Sequence, residues 1–457
     1  MLFEQIKTHG LGCFSYAIGC PLEGIMAVVD PRRDVGLYKS IADEFEMRIT
    51  HIFETHVHAD HVSGAQELRA LTGADIFIHE SAPVGYMSKK LKDGDEFTLG
   101  YAALRVIHTP GHTPNSVSFL ISDLARSVEP EMILTGDLLF VGDVGRPDLP
   151  GEEILDEQIK NLYDSLYKTL KPLPDYLEVY PAHGQGSLCG QGMSAKPLST
   201  LGYERLANTM LRCSDFEAFK RRVLSKLPVR PQSFSSIIAT NLNGAAILPK
   251  TGYEEYALSA GKVDEFLKSG VILLDVRDSF SFGQAHIPGS INIDFSEGPM
   301  LNWVGLAVTP GLPLVLVLDS GMRFDEIFSE LQRIGYDSVL GWLDGGVSAW
   351  AGSGRGTQNL PHLSASELRS RLDGSDRPVL IDVRSRDEFE RLRIDGSINL
   401  PIDRIPETAD CPADTDAEIV VICLSGFRAG IAASLLQARG CNNVSILEGG
   451  ISQWSFA

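Results

Sequence analysis

The apolar residues of this chain fall into short runs that end in polar positions. In the first half these are Ile49–Phe53, Leu104–Ile107, Met132–Leu134 and Leu177–Tyr180, each leading into a polar, often histidine-bearing loop. In the second half they are Val271–Asp275, Pro313–Leu318, Pro378–Asp382 and Ile419–Ile422. A few consecutive apolar residues between polar flanks predict a buried strand, and longer mixed segments such as Ala429–Ala438 predict helices between strands. The pattern is that of an α/β protein.

The second half also repeats itself. Asp275-Val276-Arg277 recurs as Asp382-Val383-Arg384, 107 residues on, and Gly289-Ser290-Ile291-Asn292 recurs as Gly396-Ser397-Ile398-Asn399 at the same offset. Ser320-Gly321-Met322-Arg323 recurs as Ser425-Gly426-Phe427-Arg428, and Gly345-Gly346 with Trp350 recurs as Gly449-Gly450 with Trp454. Four landmarks in one order predict two homologous domains in tandem, with a period too long for a solenoid. The Gly- and Ser-rich stretch Gly352–Pro361 reads as the linker between them. Pro228, Pro231, Asn243-Gly244, Pro249 and Thr251-Gly252 mark an earlier boundary. The expected domains are 1–245, 255–352 and 362–457.

The densest candidate chemistry is His56-Val57-His58-Ala59-Asp60-His61, directly after a strand-like run. His112, Asp137 and His183 each follow a later run. Strand ends converge at a sheet edge, so loops there can aim imidazoles and carboxylates at one point. That donor set suits zinc, iron or manganese. His51 and His79 read as buried hydrogen-bonded residues, His108 as a brace for the His112 loop, and Cys189 as structural.

The second repeat carries Cys423-Leu424-Ser425-Gly426-Phe427-Arg428 between a strand-like run and a helix-like one. Inward-facing backbone N–H groups and a helix N-terminus favour a thiolate and a sulfur-bearing anion. Arg428 reinforces that field or pins the loop. In the first repeat the aligned position is Leu318, which cannot carry a persulfide.

Composition narrows the setting. The net charge of −20 disfavours nucleic acid and anionic membranes as partners. Seven scattered cysteines predict reduced thiols and no disulfide framework. The beginning of the chain lacks a basic-then-apolar signal pattern, and no apolar run nears the ~18–20 residues of a membrane helix. A cytoplasmic location is expected.

The His-x-His-x-Asp-His motif followed by His112, Asp137 and His183 resembles the metallo-β-lactamase superfamily over residues 1–245, close to glyoxalase II and the persulfide dioxygenases. Val141–Asp148, with Gly145-Arg146, resembles the Gly-Arg-x-Asp loop beside the iron of the dioxygenases. The basic C-terminal segment by which glyoxalase II grips glutathione is not seen. Residues 362–457 resemble a rhodanese domain with its six-residue Cys–x4–Arg loop. The sequence departs from that family where His286-Ile287-Pro288-Gly289 of the first copy becomes Arg393-Ile394-Asp395-Gly396, a structural turn. The first copy resembles the inactive rhodanese-homology domain of bacterial persulfide dioxygenase–rhodanese fusions.

The resemblance implies an N-terminal αββα sandwich and two rhodanese-like α/β domains with parallel sheets. It implies one Fe(II) held by His56, His112 and Asp137. His58, Asp60, His61 and His183 would then orient ligands, or, in a two-zinc hydrolase, bind metal themselves. Arg146 would meet substrate at the iron, and Ser425, Gly426 and Arg428 would surround the sulfur on Cys423. The implied reaction is oxidation of a small thiol persulfide by O2 to sulfite, with sulfur transfer at Cys423 giving thiosulfate. The protein would work as a homo-oligomer, dimer or tetramer. The alternative is a zinc thioester hydrolase of glyoxalase II type, and a persulfide-binding carrier or sensor is a third reading.

Overall fold

Alternation along the strands decides the architecture of the first part of the chain. In Ile25–Val29, Ala27 and Val29 face one hydrophobic layer while Met26 and Val28 face another. In Val117–Asp123, Val117, Phe119 and Ile121 face that first layer while Leu120 faces a third. A strand with period two that is apolar on both sides must be covered on both sides. Two sheets therefore pack face to face, with helices outside each.

These details come from a computed structural model, which describes all residues except His9, Gln191, 228–229, 249–252, 297–299, Ser320, Asp376, 408–415 and 456–457. Of the features above, Pro228, Pro249, Thr251, Gly252, Ser320 and one of the seven cysteines, Cys411, lie outside the described residues. The chain divides into two units, Met1–Leu248 with Gln332–Gly335, and Pro249–Leu331 with Tyr336–Ala457.

In the first unit one sheet runs in chain order: β1 (Leu2–Thr8), β2 (Cys13–Cys20), β3 (Ile25–Val29), β4 (Arg48–Phe53), β5 (Asp75–His79) and β6 (Lys89–Leu91). The other holds β7 (Glu96–Leu99), β8 (Ala102–His108), β9 (Val117–Asp123), β10 (Met132–Gly136), β11 (Glu178–Pro181) and β12 (Ser199–Thr200), also neighbours in chain order. Helices α1 (Gly36–Glu44) and α2 (Ala65–Thr72) cover the first sheet, through Tyr38, Ala42, Ala65 and Leu68. Helices α3 (Leu155–Asp164), α4 (Leu201–Ala207) and α5 (Phe216–Ser225) cover the second, through Ile159, Leu162, Leu201, Phe219 and Val223. α6 (Ser233–Asn243) closes the unit against Ala59 and Val57. The expected αββα sandwich is what forms. β8 and β10 are each antiparallel to β9, and β10 is parallel to β11. The three strands that precede His112, Asp137 and His183 thus run the same way and end at one edge.

The second unit holds two five-stranded parallel sheets of matching order. The first copy contains β13 (Ala257–Leu258), α7 (Ala260–Lys268), β14 (Ile272–Asp275), α8 (Ser279–Gln284), β15 (Ile291–Asn292), α9 (Met300–Ala307), β16 (Leu314–Val317), α10 (Phe324–Arg333), β17 (Val339–Leu343) and α11 (Gly346–Gly352). The second contains β18 (His362–Leu363), α12 (Ala365–Leu372), β19 (Val379–Asp382), α13 (Arg386–Arg391), β20 (Ile398–Asn399), β21 (Ile419–Ile422), α14 (Phe427–Ala438), β22 (Val444–Leu447) and α15 (Gly450–Trp454). The repeated Asp-Val-Arg is structural: Arg277 pairs bidentately with Asp275, and Arg384 does the same with Asp382.

One expectation fails. Five cysteines are free thiols, Cys13, Cys20, Cys189, Cys213 and Cys423, but Cys441 is disulfide-bonded. Scattered spacing does not reveal which cysteines the fold brings together, because that is decided by tertiary approach of their Cα atoms.

Candidate metal centre and sulfur-transfer loop

His56, His112 and Asp137 are all fully buried, and their Nε2, Nε2 and Oδ2 atoms face one another without hydrogen-bond partners. His112 Nε2 lies 3.4 Å and His56 Nε2 3.9 Å from Asp137 Oδ2. Three unsatisfied acceptors converging in a core are costly unless something positive sits among them. Their remaining polar atoms are all engaged. His56 Nδ1 is 2.8 Å from Thr55 Oγ1, His112 Nδ1 is 2.7 Å from the Arg146 carbonyl, and Asp137 Oδ1 is 2.6 Å from His183 Nδ1. Burial pushes His56 well below the usual histidine range, and the His58 ring adds to this; burial lowers His112 too. Two neutral imidazoles and a carboxylate make a donor set that fits a divalent transition metal.

The other ligand-type residues are arranged differently. His183 Nε2 lies 2.7 Å from Asp60 Oδ2, His61 Nδ1 lies 3.2 Å from Asp60 Oδ1, and the Cys13 thiol donates to Asp60 Oδ2 at 3.0 Å. Burial opposes a charge on His183, yet Asp137, Cys189 and Asp60 hold its pKa well above the usual range. His58 turns away: its Nε2 is 3.1 Å from both Asp30 Oδ1 and Glu54 Oε2. Those two carboxylates overcome burial and raise its pKa. Asp30, Glu54 and Cys13 escaped the sequence reading. Asp30 had a signal, since it ends the apolar run Ile25–Val29 as Asp275 ends its own.

Arg146, expected to meet substrate, is 3% exposed, and its guanidinium is engaged with Asp148 at 2.8 Å and the Leu188 carbonyl at 3.2 Å. Its backbone carbonyl meets His112 Nδ1. The preceding Gly145 explains the loop's composition. A Cβ there would lie 1.8 Å from the Asp137 carbonyl oxygen and 3.3 Å from His112 Cβ. Gly145→Ala is expected to cost about 1–3 kcal/mol of stability by overpacking and to lower bound metal. A thermal midpoint and metal content equal to wild type would contradict this. From below, Ser165 Oγ donates to the Pro110 carbonyl at 2.6 Å, seating the His112 loop. On its other side His108 Nε2 is 3.0 Å from the Pro114 carbonyl.

In the second unit Cys423 follows β21 and is buried, and Gly426 N–H donates to its Sγ at 3.1 Å. Gly426 takes φ +111, where a side chain would be strained. Ser425 is exposed. Arg428 pins the loop: its two terminal nitrogens donate to Glu388 at 2.8 and 2.7 Å. That bond, against some burial, brings the Glu388 carboxyl down to about 2. α15 holds the loop from behind, with Ile451 N–H donating to the Cys423 carbonyl at 2.9 Å. A Cβ on Gly450 would lie 2.4 Å from that carbonyl, which accounts for the Gly-Gly pair. In the first copy Leu318 is buried at the nucleophile position, and the Trp342 ring lies 2.3 Å from where a Cβ on Gly321 would be. The aligned residue of the second copy is Ile446. A bulky indole thus packs directly on the first copy's loop.

Residues 27–183 match the metallo-β-lactamase superfamily, and residues 259–353 and 364–457 each match the rhodanese-like domain. The mitochondrial persulfide dioxygenase ETHE1 of Homo sapiens is 29% identical over 246 residues, 53% of this chain and 86% of the relative. The hydroxyacylglutathione hydrolase of Methylococcus capsulatus is 32% identical over 172 residues, 37% of this chain and 61% of the relative. A metallo-β-lactamase from Staphylococcus aureus subsp. aureus COL is similar in structure, with a TM-score of 0.67 and 32% identity, covering 75% of this chain and 98% of that one. With that likeness spanning both units, the chain belongs to the metallo-β-lactamase superfamily and carries two rhodanese-like domains after its metallo-β-lactamase fold.

Proposed function

We propose that this protein is an iron-dependent persulfide dioxygenase joined to a sulfurtransferase. Residues 1–245 are the dioxygenase domain, 255–352 an inert rhodanese copy and 362–457 the catalytic one. The observation that carries this reading is the orphaned trio His56 Nε2, His112 Nε2 and Asp137 Oδ2, set against an Asp60/His61/His183 group whose atoms satisfy one another. Two imidazoles and one carboxylate on one face are the donor set of non-haem Fe(II) oxygenases. A bound Fe(II) would supply electrons to dioxygen and a place for the persulfide's terminal sulfur.

The protein's own part is orientation. Thr55 Oγ1 donates to Asp30 Oδ2 at 2.8 Å, so it accepts from His56 Nδ1–H and leaves the Nε2 lone pair free. The Arg146 carbonyl does the same for His112, and His183 fixes the Asp137 carboxylate from behind. The balanced oxidation is RSSH + O2 + H2O giving RSH + SO3²⁻ + 2 H⁺. At the second site the Cys423 thiolate takes the outer sulfur of a persulfide and releases the thiol, and Cys423–S–S⁻ then passes it to sulfite, giving thiosulfate and free Cys423 thiolate. Gly426 N–H and the start of α14 face the sulfur that carries the charge. A cytoplasmic setting and a homo-oligomeric state remain part of this proposal. Among the described residues no helix is long and apolar enough to cross a membrane.

A second reading, a two-zinc thioester hydrolase, is favoured by the second buried group of possible ligands, Asp60, His61 and His183, beside the first, and by the hydroxyacylglutathione hydrolase relative. Metal content and oxygen uptake separate the two. Protein purified without oxygen should hold one iron per chain and consume O2 with one of a panel of small thiol persulfides. Two zinc ions, thioester hydrolysis and no oxygen uptake would replace the first reading with the second.

A further inference from the structure

α14, which begins in the Cys423 loop, is buried over eight consecutive residues, Ala429–Leu436. A helix buried all round needs cover on two sides. Its own sheet supplies one, and the first rhodanese copy supplies the other. Asn292 N–H of the first copy donates to Ser434 Oγ at 3.0 Å, and Gly430 lies against Ser279 and Asn292. The contact extends to the loop itself: the Trp303 ring, on α9 of the first copy, meets the Phe427 ring edge-on at 6.2 Å. Phe427 and Trp303 are both half-buried, and Leu424 beside them is 48% exposed. The loop's cation, Arg428, is already paired with Glu388.

We infer that the copy without a nucleophile completes the sulfur-transfer site of the other, with Trp303 and Phe427 forming an aromatic rim that receives the organic part of a thiol persulfide. The loop's N–H groups suit the small charged end of any sulfur donor. The rim adds an apolar face that an inorganic donor such as thiosulfate does not use. Trp303 is then a specificity-determining residue for the Cys423 site, contributed by a domain that performs no chemistry. Covering one or two methylenes of the donor with the indole face corresponds to about a three- to tenfold change in discrimination when that face is removed.

The inference rests on Cys423 being the sulfur-transfer nucleophile. The test uses the full chain without oxygen and measures kcat/KM at Cys423 for two donors: glutathione persulfide with sulfite as acceptor, giving thiosulfate, and thiosulfate with cyanide as acceptor, giving thiocyanate and sulfite. In Trp303→Ala the ratio of the two specificities should fall about three- to tenfold against the persulfide, through KM, and Trp303→Phe should restore it. Trp303→Gln, which keeps a long side chain but removes the apolar face, serves if the alanine protein does not fold, and should show the same loss. A ratio within twofold of wild type in these variants overturns the inference, as does an equal loss with both donors. Sulfur transfer that persists in Cys423→Ser would instead overturn the assignment of the nucleophile.

Discussion

Asp137→Ala is expected to empty the metal centre and abolish oxygen uptake, lowering both by at least about 100-fold, beyond the 10- to 100-fold typical of losing an outer partner. Asp137 serves two sides at once. Its Oδ2 faces His56 and His112, and its Oδ1 lies 2.6 Å from His183 Nδ1. Three donors leave no spare ligand to compensate. Alanine also strands His183, whose raised pKa depends on Asp137 and Asp60 despite burial. Breaking one partner of a buried pair commonly costs about 3–5 kcal/mol, so the alanine protein should be less stable as well as metal-free. Asp137→Asn separates the effects. An amide oxygen can still accept from His183, so the fold should survive while metal is lost. Metal analysis, a thermal midpoint and an oxygen electrode read the three quantities. An asparagine protein with full iron would remove Asp137 from the ligand set.

Cys423→Ser should abolish thiosulfate formation, by about 100-fold or more, and leave oxygen uptake within twofold of wild type. A serine hydroxyl fits the space and can accept from Gly426 N–H, but at neutral pH it is a weak nucleophile without an adjacent base. His56, His112 and Asp137 belong to the first unit and Cys423 to the second, so the substitution leaves the metal ligands themselves unaltered. Sulfite should then accumulate in place of thiosulfate. If both activities fell together, Cys423 would be feeding the iron site directly. If thiosulfate formation continued at full rate, the first copy would not be inert, against the buried Leu318 and the Trp342 ring packed on its loop.

Much of this was legible in the sequence. His56, His58, Asp60 and His61 lie within six residues, and His112, Asp137 and His183 each follow an apolar run, so strand periodicity and loop position alone predicted a common edge. The repeat located Cys423, and its alignment exposed Leu318. These are local properties: a strand's length, a motif's spacing and a residue's type are read without knowing the fold.

What the tertiary structure decided is the division of labour among the ligand-type residues. The motif cannot tell His56 from His58. The sheet does, by bringing Asp30 from the end of β3 and Glu54 from the end of β4 against His58 Nε2, while Thr55 turns His56 towards Asp137. Cys13 reaches Asp60 across 47 residues, and Asn241 on α6 holds the His58 and His61 carbonyls from 183 and 180 residues away. Likewise the sequence marked Trp303 as nothing in particular, and only the packing of α14 between two domains put it against Phe427. Hydrogen-bond partners and ring contacts form between atoms a few ångströms apart, whatever their separation along the chain. The pattern of apolar and polar positions encodes which elements form and which faces they bury, but not which distant side chain will meet a given nitrogen once they are packed.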